Sequence, residues 1–246
     1  MPEQYAKRLK IGVVTPSTNT TLEPDCHSLC PDGVTVHTAR IPIQNKKISG
    51  AAAYDDHVKA MRDGIGVAIE QIVTCGPNHV IMGVALEAFW GGVEGSTRLE
   101  KELSALTGTR ISMGSTSMHR ALQAIGAKRI AILTPHMPAG DEQVSRWFTE
   151  AGYEIVKLVG LCCESPRLIA EVSLEQMRNT VLTLDSEEPD AIVQVGTNLQ
   201  FRRIAAASEL LLGKPVLALN AVMLWDSLRL HGIRDPLVGL GQLFES

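Results

Sequence analysis

The second half of this sequence repeats the plan of the first half. Residues 11–17 (IGVVTPS) match residues 130–136 (IAILTPH), and residues 80–84 (VIMGV) match residues 192–197 (IVQVGT). Each run is short and apolar and stops at Thr-Pro or Gly, which is typical of a buried strand in a parallel sheet where the strand leads into a loop. Two lobes of similar plan are therefore predicted. Because ligands bind at the carboxyl ends of such strands, the two lobes should share one cleft.

Alternation of strands and helices along the whole chain predicts an α/β fold with parallel sheets, four strands to a lobe. The expected strands cover 10–15, 34–40, 78–84, 110–113, 129–134, 154–160, 190–196 and 215–219. The predicted lobes are 1–114 and 115–221, and the helix and tail over 222–246 could pack back on the first lobe. Apolar residues on an expected helix at 96–107 could support a homo-oligomer, although such helices also simply cover sheets.

Composition and charge argue against several classes of protein. A net charge of −4 without a long basic run does not suit nucleic-acid binding, and no apolar stretch reaches the roughly 18 residues of a membrane span. The first residues lack the apolar core of a signal peptide, so a cytoplasmic protein is expected. The five cysteines are an odd number and fit no standard zinc spacing, which predicts free thiols rather than disulfides or a metal site.

Polar residues at the end of the first strand form the first candidate binding site. Pro16, Ser17 and Asn19 belong to a cluster of hydroxyls and an amide that opens a helix. Free backbone N–H groups and short polar side chains at such a place suit a carboxylate. The alternative is helix capping by Ser17, Thr18 or Thr20.

The end of the central strand in lobe one, at Gly83, Val84 and Ala85, is the second candidate. Gly83 would let the backbone approach a ligand. Glu87 could be an acid or base, or a solvated loop carboxylate. Phe89 and Trp90 could line the cleft or simply pack in the core.

The matching strand ends of lobe two offer Thr134 and His136, and Gly196, Thr197 and Asn198. Thr197 and Asn198 supply donors at an expected helix start, where they could equally be caps. His136 should lie on the cleft side, opposite Ser17, as a proton-transfer group. The alternative for His136 is a surface or packed residue.

These segments resemble a known family. Residues 16–23 (PSTNTTLE) resemble the N-terminal motif of maleate cis-trans isomerases, whose Asn binds a substrate carboxylate. Residues 82–86, the pair Trp225-Asp226 and the ending 241–246 resemble arylmalonate decarboxylase. The chain thus resembles this branch of the aspartate/glutamate racemase superfamily. The resemblance implies two flavodoxin-like lobes with pseudo-two-fold symmetry, catalysis without cofactor or metal, and carboxylate binding by Asn19.

The chain departs from the family at the reacting groups. Family racemases and isomerases carry a cysteine at each central strand end, and the decarboxylase keeps the second. The matching regions here, Gly83-Val84 and Gly196-Thr197, contain none. His136 stands at the position after Thr-Pro where the family has a tyrosine. Val84 and Ala85 stand at the positions where the decarboxylase has the hydroxyl donors of its oxyanion pocket. Cys162 and Cys163 follow a strand and are the cysteines expected near the cleft.

The sequence and the resemblance together predict a cofactor-independent isomerase or decarboxylase-type lyase. It would act on a small (di)carboxylate through an enolate-like intermediate held in the interlobe cleft. Two alternatives are a hydrolase of a small amide or cyclic imide, with His136 or Glu87 activating water, and a catalytically silent carboxylate-binding protein. Predicted substrate contacts are Pro16, Ser17, Asn19, Gly83, Val84, Ala85, Thr134, Gly196, Thr197 and Asn198. Predicted proton-transfer groups are His136, Glu87, Cys162 and Cys163.

Overall fold

The chain forms two parallel β-sheets of four strands each. The structure is a computed structural model that describes residues 5–48 and 50–245. The first sheet has the order β2-β1-β3-β4 and the second the order β6-β5-β7-β8, so the same topology occurs twice. The strands are β1 (Leu9–Pro16), β2 (Val34–Ile41), β3 (His79–Met82), β4 (Arg110–Met113), β5 (Arg129–Thr134), β6 (Glu154–Gly160), β7 (Ala191–Gln194) and β8 (Val216–Ala218). This arrangement confirms the predicted α/β fold of two lobes.

Helices cover the faces of both sheets. They are α1 (Leu22–Leu29), α2 (Gly50–Val73), α3 (Ala85–Phe89), α4 (Gly92–Thr107), α5 (Gly114–Ile125), α6 (Pro138–Glu150), α7 (Leu174–Asp185), α8 (Arg202–Leu212), α9 (Leu219–Leu230) and α10 (Gln242–Glu245), with a short 3-10 helix at Leu168–Glu171. None of the helices in the described part of the chain is long and apolar enough to cross a membrane.

Local chemistry explains several helix ends. Ser173 caps α7, because its Oγ accepts a hydrogen bond from the Gln176 N–H at 3.1 Å. Gly213 ends α8 at φ 66°, a left-handed conformation that glycine adopts without strain. Helix α3 contains Glu87, so this residue lies on a helix and not in the loop that was one of its two interpretations from sequence.

The central strands of each sheet are the most deeply buried elements. Every residue of β3 and β7 is buried, whereas the edge strand β6 is only half-buried over most of its length. A parallel strand covered on both faces needs apolar side chains in both directions. This requirement explains the unbroken apolar runs that make up the sequence repeat.

Helix α9 joins the two lobes. It follows β8 of the second sheet in the chain but contacts α1, β3 and β4 of the first, as well as α5. Asp226 on α9 accepts hydrogen bonds from Ser112 (2.6 Å), Ser117 (2.7 Å) and the Arg120 Nε (2.7 Å). The predicted segment boundary at 221–222 falls inside this helix, which begins at Leu219. The division of the chain near residue 114 stays a prediction.

Candidate active site

A cavity of about 90 Å³ lies where the carboxyl ends of strands from both sheets meet. The segments at the ends of β1, β3, β5 and β7 form most of its wall, and α2 and the segments after β2 and β6 complete it. Seven of the predicted substrate-binding residues line it: Pro16, Asn19, Val84, Ala85, Gly196, Thr197 and Asn198. His136 and Cys163 line it as well.

Three other predicted contact residues lie outside this wall. Ser17 braces the loop after β2, since its Oγ lies 3.1 Å from both the N and the O of Ile43. Gly83 is enclosed by protein, because a Cβ on it would lie 2.2 Å from Leu22 Cδ2 and 2.9 Å from the Val14 carbonyl oxygen. Glycine is thus required at position 83 by packing, and no thiol fits there without a shift of the backbone.

Thr134 supports His136 from behind the cavity wall. Its hydroxyl is hydrogen-bonded to Asp141 and accepts a bond from the His136 backbone N–H at 3.1 Å. Burial raises the pKa of Asp141 to about 6, while the hydrogen bond from Thr134 opposes that rise. Thr134 therefore fixes the backbone at His136 instead of facing a ligand.

Asn19 and Thr197 meet across the boundary between the lobes. The Asn19 Oδ1 accepts bonds from the N–H groups of Thr21 (2.9 Å) and Leu22 (3.0 Å), so Asn19 caps the start of α1. Its Nδ2 donates to Thr197 Oγ1 at 3.1 Å, and this hydroxyl donates to the Gly83 carbonyl at 3.0 Å. Asn19 keeps one amide hydrogen beyond these bonds. The Thr197 hydroxyl proton, in contrast, is already used.

Asn198 joins the two lobes with its whole side chain. Its Oδ1 accepts a bond from the Thr20 N–H at 2.9 Å, and its Nδ2 donates to the carbonyls of Pro166 (2.9 Å) and Thr18 (3.3 Å). All of the amide's hydrogens are used in this way, so the contacts favour a structural role for Asn198 over ligand binding.

His136 is a half-buried titratable group of the cavity wall. Its Nε2 is inaccessible to solvent and has no hydrogen-bond partner among the described residues. Burial, together with the smaller effect of the charge of nearby His57, lowers the pKa of His136 to about 4. The imidazole is consequently neutral at pH 7. A buried polar atom without a partner is uncommon and points to a ligand or a water molecule.

Cys163 and His57 complete the titratable groups of the wall. Burial raises the pKa of the Cys163 thiol to about 11, so it is not a thiolate at neutral pH. His57 lies on α2, one turn before Met61, which also lines the cavity. Sequence reasoning missed His57, because its position inside a long helix carries none of the strand-end signal that marked the other residues.

Glu87 and Cys162 do not reach the cavity. Glu87 is buried on α3, where its Oε2 lies 2.9 Å from the Arg62 Nε, so it is not a solvated loop carboxylate. Burial raises the pKa of Glu87, and the bond from Arg62 opposes the rise. Cys162 is exposed and has a left-handed backbone at φ 49°. Phe89 packs against Trp147 and Phe148 with ring centres 5.5 Å apart, and so belongs to the core.

The fold and this site have clear relatives among known proteins. The arylmalonate decarboxylase family model matches residues 11–244. The chain belongs to the arylmalonate decarboxylase family. It is 23% identical to maleate isomerase of Pseudomonas putida over 247 residues, which covers 95% of this chain and 96% of the relative. Maleate isomerase of Nocardia farcinica is also 23% identical, over 95% of this chain and 94% of that protein.

Solved structures share the fold of this family member. Nocardia farcinica maleate cis-trans isomerase, as a Cys-to-Ser variant with a covalently bound succinylcysteine intermediate, has a TM-score of 0.85 at 22% identity and covers 96% of this chain and 98% of its own. A double variant of arylmalonate decarboxylase in liganded form has a TM-score of 0.82 at 19% identity, over 96% and 99% of the two chains.

Family membership confirms the expectation of an isomerase or decarboxylase-type lyase, and the relatives give no support to a hydrolase. The central strand ends of the two lobes are in direct contact, through the bond from Thr197 to the Gly83 carbonyl. In the described part of the chain, no group of three or more His, Cys, Asp or Glu side chains is placed to hold a metal ion. In this family member, His136, His57 and Cys163 are the titratable groups available to a ligand.

Proposed function

We propose that the cavity binds a small carboxylate and that the protein isomerises or decarboxylates it through an enolate-like intermediate. The observation that carries this proposal is the meeting of equivalent strand ends from both lobes around the imidazole of His136, whose buried Nε2 has no hydrogen-bond partner among the described residues. Membership of the arylmalonate decarboxylase family supports the reaction class.

Hydrogen-bond donors along the wall suit the oxygens of a carboxylate or enolate. The first N–H groups of α3, at Ala85 and Leu86, have no partner within their own helix. The second amide hydrogen of Asn19 and the hydroxyls of Thr18 and Ser165 add further donors. Fixed donors aimed at a developing negative charge stabilise an enolate more than the ground state, and this difference accelerates the reaction.

His136 is the proposed proton-transfer group. In the empty cavity it is neutral, because burial holds its pKa at about 4. A bound carboxylate favours the imidazolium and raises this pKa toward the working range of an acid catalyst. Thr197 cannot take this role while its hydroxyl donates to the Gly83 carbonyl. Cys163 remains a thiol at neutral pH and is the second candidate donor.

The substrate should be small and partly apolar. The cavity holds about 90 Å³, and none of its described lining residues is Lys, Arg, Asp or Glu. Ile43, Ile48, Met61 and Ile169 supply apolar wall. A carboxylate placed against such a wall loses hydration without gaining a cation, which favours release of CO₂ when the remaining charge can spread over an enolate.

Proton exchange in D₂O, followed by NMR, tests the proposal directly. The panel consists of maleate, small dicarboxylates, arylmalonates and 2-substituted acids. We expect deuterium at the α-carbon of at least one substrate, and a loss of about 100-fold or more in His136→Gln, because a positioned proton-transfer group contributes about 10²–10⁴-fold.

The neighbouring cysteines provide a matched pair of controls. Cys163→Ser changes the cavity wall, whereas Cys162→Ser changes an exposed residue beside it. An effect in Cys163→Ser alone would make the thiol the donor. Turnover that is unchanged in His136→Gln would refute the role of His136. If the parent protein binds a ligand but shows neither proton exchange nor turnover, the enzymatic proposal is overturned, and the protein is a carboxylate-binding protein.

Two further predictions about the protein's setting stay open to experiment. A cytoplasmic location is tested by fractionation of cells. A homo-oligomer is tested by the mass of the purified protein in solution.

A further inference from the structure

Repeated turnover requires the half-buried imidazole of His136 to exchange protons with solvent. Its Nε2 is inaccessible, and the other titratable groups of the described cavity wall are His57 and Cys163. This inference rests on the proposed function, in which His136 transfers a proton to or from the substrate carbon.

His57 is shared by the cavity and a second hollow. It lines the cavity together with His136, and it also lines a neighbouring hollow formed by residues of α2 and of the segment after β2. Lys46, Lys47 and Asp56 border that hollow and are exposed. Ile43 and Ile48 are also common to both walls but cannot carry a proton. Of the described residues shared by cavity and hollow, His57 is the titratable one.

We propose that His57 is a proton-relay residue that carries protons between the solvent-facing hollow and His136. It acts through His136 and does not itself react with the substrate.

The proton balance needs no further reactant. A hydronium ion or a buffer acid in the hollow delivers a proton to one ring nitrogen of His57; its own bond to that proton breaks, which leaves water or the buffer base, and an N–H bond forms. The N–H bond on the other ring nitrogen breaks, and that proton passes to a ring nitrogen of His136, directly or through cavity water. His57 is again neutral, as the other tautomer, and His136 is an imidazolium that can protonate the enolate carbon. The reverse sequence removes a proton that His136 has taken from the substrate.

The surroundings of both rings suit this transfer. Burial lowers the pKa of His57, and burial lowers the pKa of His136 more strongly, to about 4. Neither ring therefore holds a proton so firmly at neutral pH that it would fail to release it. The other titratable or charged groups of the two walls are Cys163 in the cavity, and Lys46, Lys47 and Asp56 in the hollow. Lys47 is paired with Glu164 at 2.9 Å.

The first test requires no substrate. In protein labelled with ¹⁵N-histidine, saturation transfer from water measures the exchange rate of the His136 ring proton, which is assigned by its absence in His136→Gln. We expect His57→Ala to slow this exchange at least about tenfold, as expected for loss of a proton-transfer group. Adding 4-methylimidazole, which fits the space left by the ring, should restore the rate.

Met61→Ala is the matched control, because Met61 lies one turn further along α2 and also lines the cavity. It removes a similar volume but no titratable group, so we expect exchange to change little. His57→Gln fills the site without a titratable ring and should behave like His57→Ala. Unchanged exchange in both His57 variants, or an equal loss in Met61→Ala, would overturn the relay.

Turnover gives the second test and separates the two proposals. If the parent protein exchanges substrate protons, kcat of His57→Ala should fall at least about tenfold and recover with 4-methylimidazole, with KM little changed. If His57→Ala is folded and its kcat does not recover with 4-methylimidazole, the relay is overturned. If the parent turns over none of the panel, the proposed function fails, and the ring-proton exchange still decides whether His57 connects His136 to solvent.

Discussion

Replacing Asp226 by Asn tests the polar cluster that fastens α9 to the first lobe. The carboxylate is 1% exposed and accepts bonds from Ser112, Ser117 and both Nε and Nη2 of Arg120. Asp226→Asn removes the negative charge and places an NH₂ group next to the hydrogen-bond donors of Ser112, Ser117 and Arg120. Breaking a buried ion pair costs about 3–5 kcal/mol. Because the Arg120 side chain is 35% exposed and can be partly solvated, we expect the lower end, about 3 kcal/mol.

Urea unfolding of Asp226→Asn measures this loss, and a thermal midpoint lower by roughly 6–12 °C should accompany it. Asp235→Asn is the matched control, because Asp235 also holds an arginine, Arg8, through two bonds, but at a site where both side chains are about one-third exposed. That variant should barely shift the unfolding midpoint. If Asp226→Asn were no less stable than Asp235→Asn, the reasoning from burial would be refuted.

Three further outcomes are expected. Burial lowers the pKa of His79 to about 3, so on acidification the unfolded state takes up a proton on His79 before the folded state does. Between pH 7 and pH 5 the free energy of unfolding should therefore fall by about 2 kcal/mol less in His79→Gln than in the parent. Equal losses in the two proteins, measured by unfolding across this pH range, would contradict this. Thr197→Val leaves the Gly83 carbonyl with the longer bond from the Thr15 hydroxyl (3.4 Å) and removes the acceptor of the Asn19 Nδ2, so it should cost about 1–3 kcal/mol in urea unfolding, whereas Thr197→Ser keeps both bonds and should stay close to the parent. Glu87→Gln should leave the turnover rate unchanged in the D₂O assay, because Glu87 lies outside the cavity; a large loss would show that Glu87 reaches the substrate.

The strand ends of the cavity could be located from sequence because strand signals are local. A buried parallel strand requires consecutive apolar residues, and its end is marked by Thr-Pro or Gly in both lobes. Pro16 is the last residue of β1, Val84, His136 and Gly196 follow the ends of their strands, and all four line the cavity. The prediction needed no knowledge of which side chains touch each other.

The roles of individual polar side chains at those ends were not readable in the same way. Asn19 and Thr197 are 178 positions apart in the chain, yet they share a hydrogen bond. Whether an amide or hydroxyl serves a ligand or a neighbouring lobe depends on which groups lie within about 3 Å of it, and sequence spacing does not report this. For the same reason the sequence left open whether Glu87 is an acid or base or a solvated loop carboxylate. In the structure its partner is Arg62, which lies 25 positions away in the chain.

The sequence alone determined that this protein has two α/β lobes, which strand ends meet in a cleft, and that the two central strand ends, at Gly83-Val84 and Gly196-Thr197, contain no cysteine. Apolar periodicity and residue identity are properties of short segments, so they can be read without coordinates. Only the tertiary structure decided that His57 joins His136 at the cavity, that α9 fastens to the first lobe, and that Thr197 is bonded to Gly83. These relations arise from distant segments brought together by burial, and burial is a property of the folded chain as a whole.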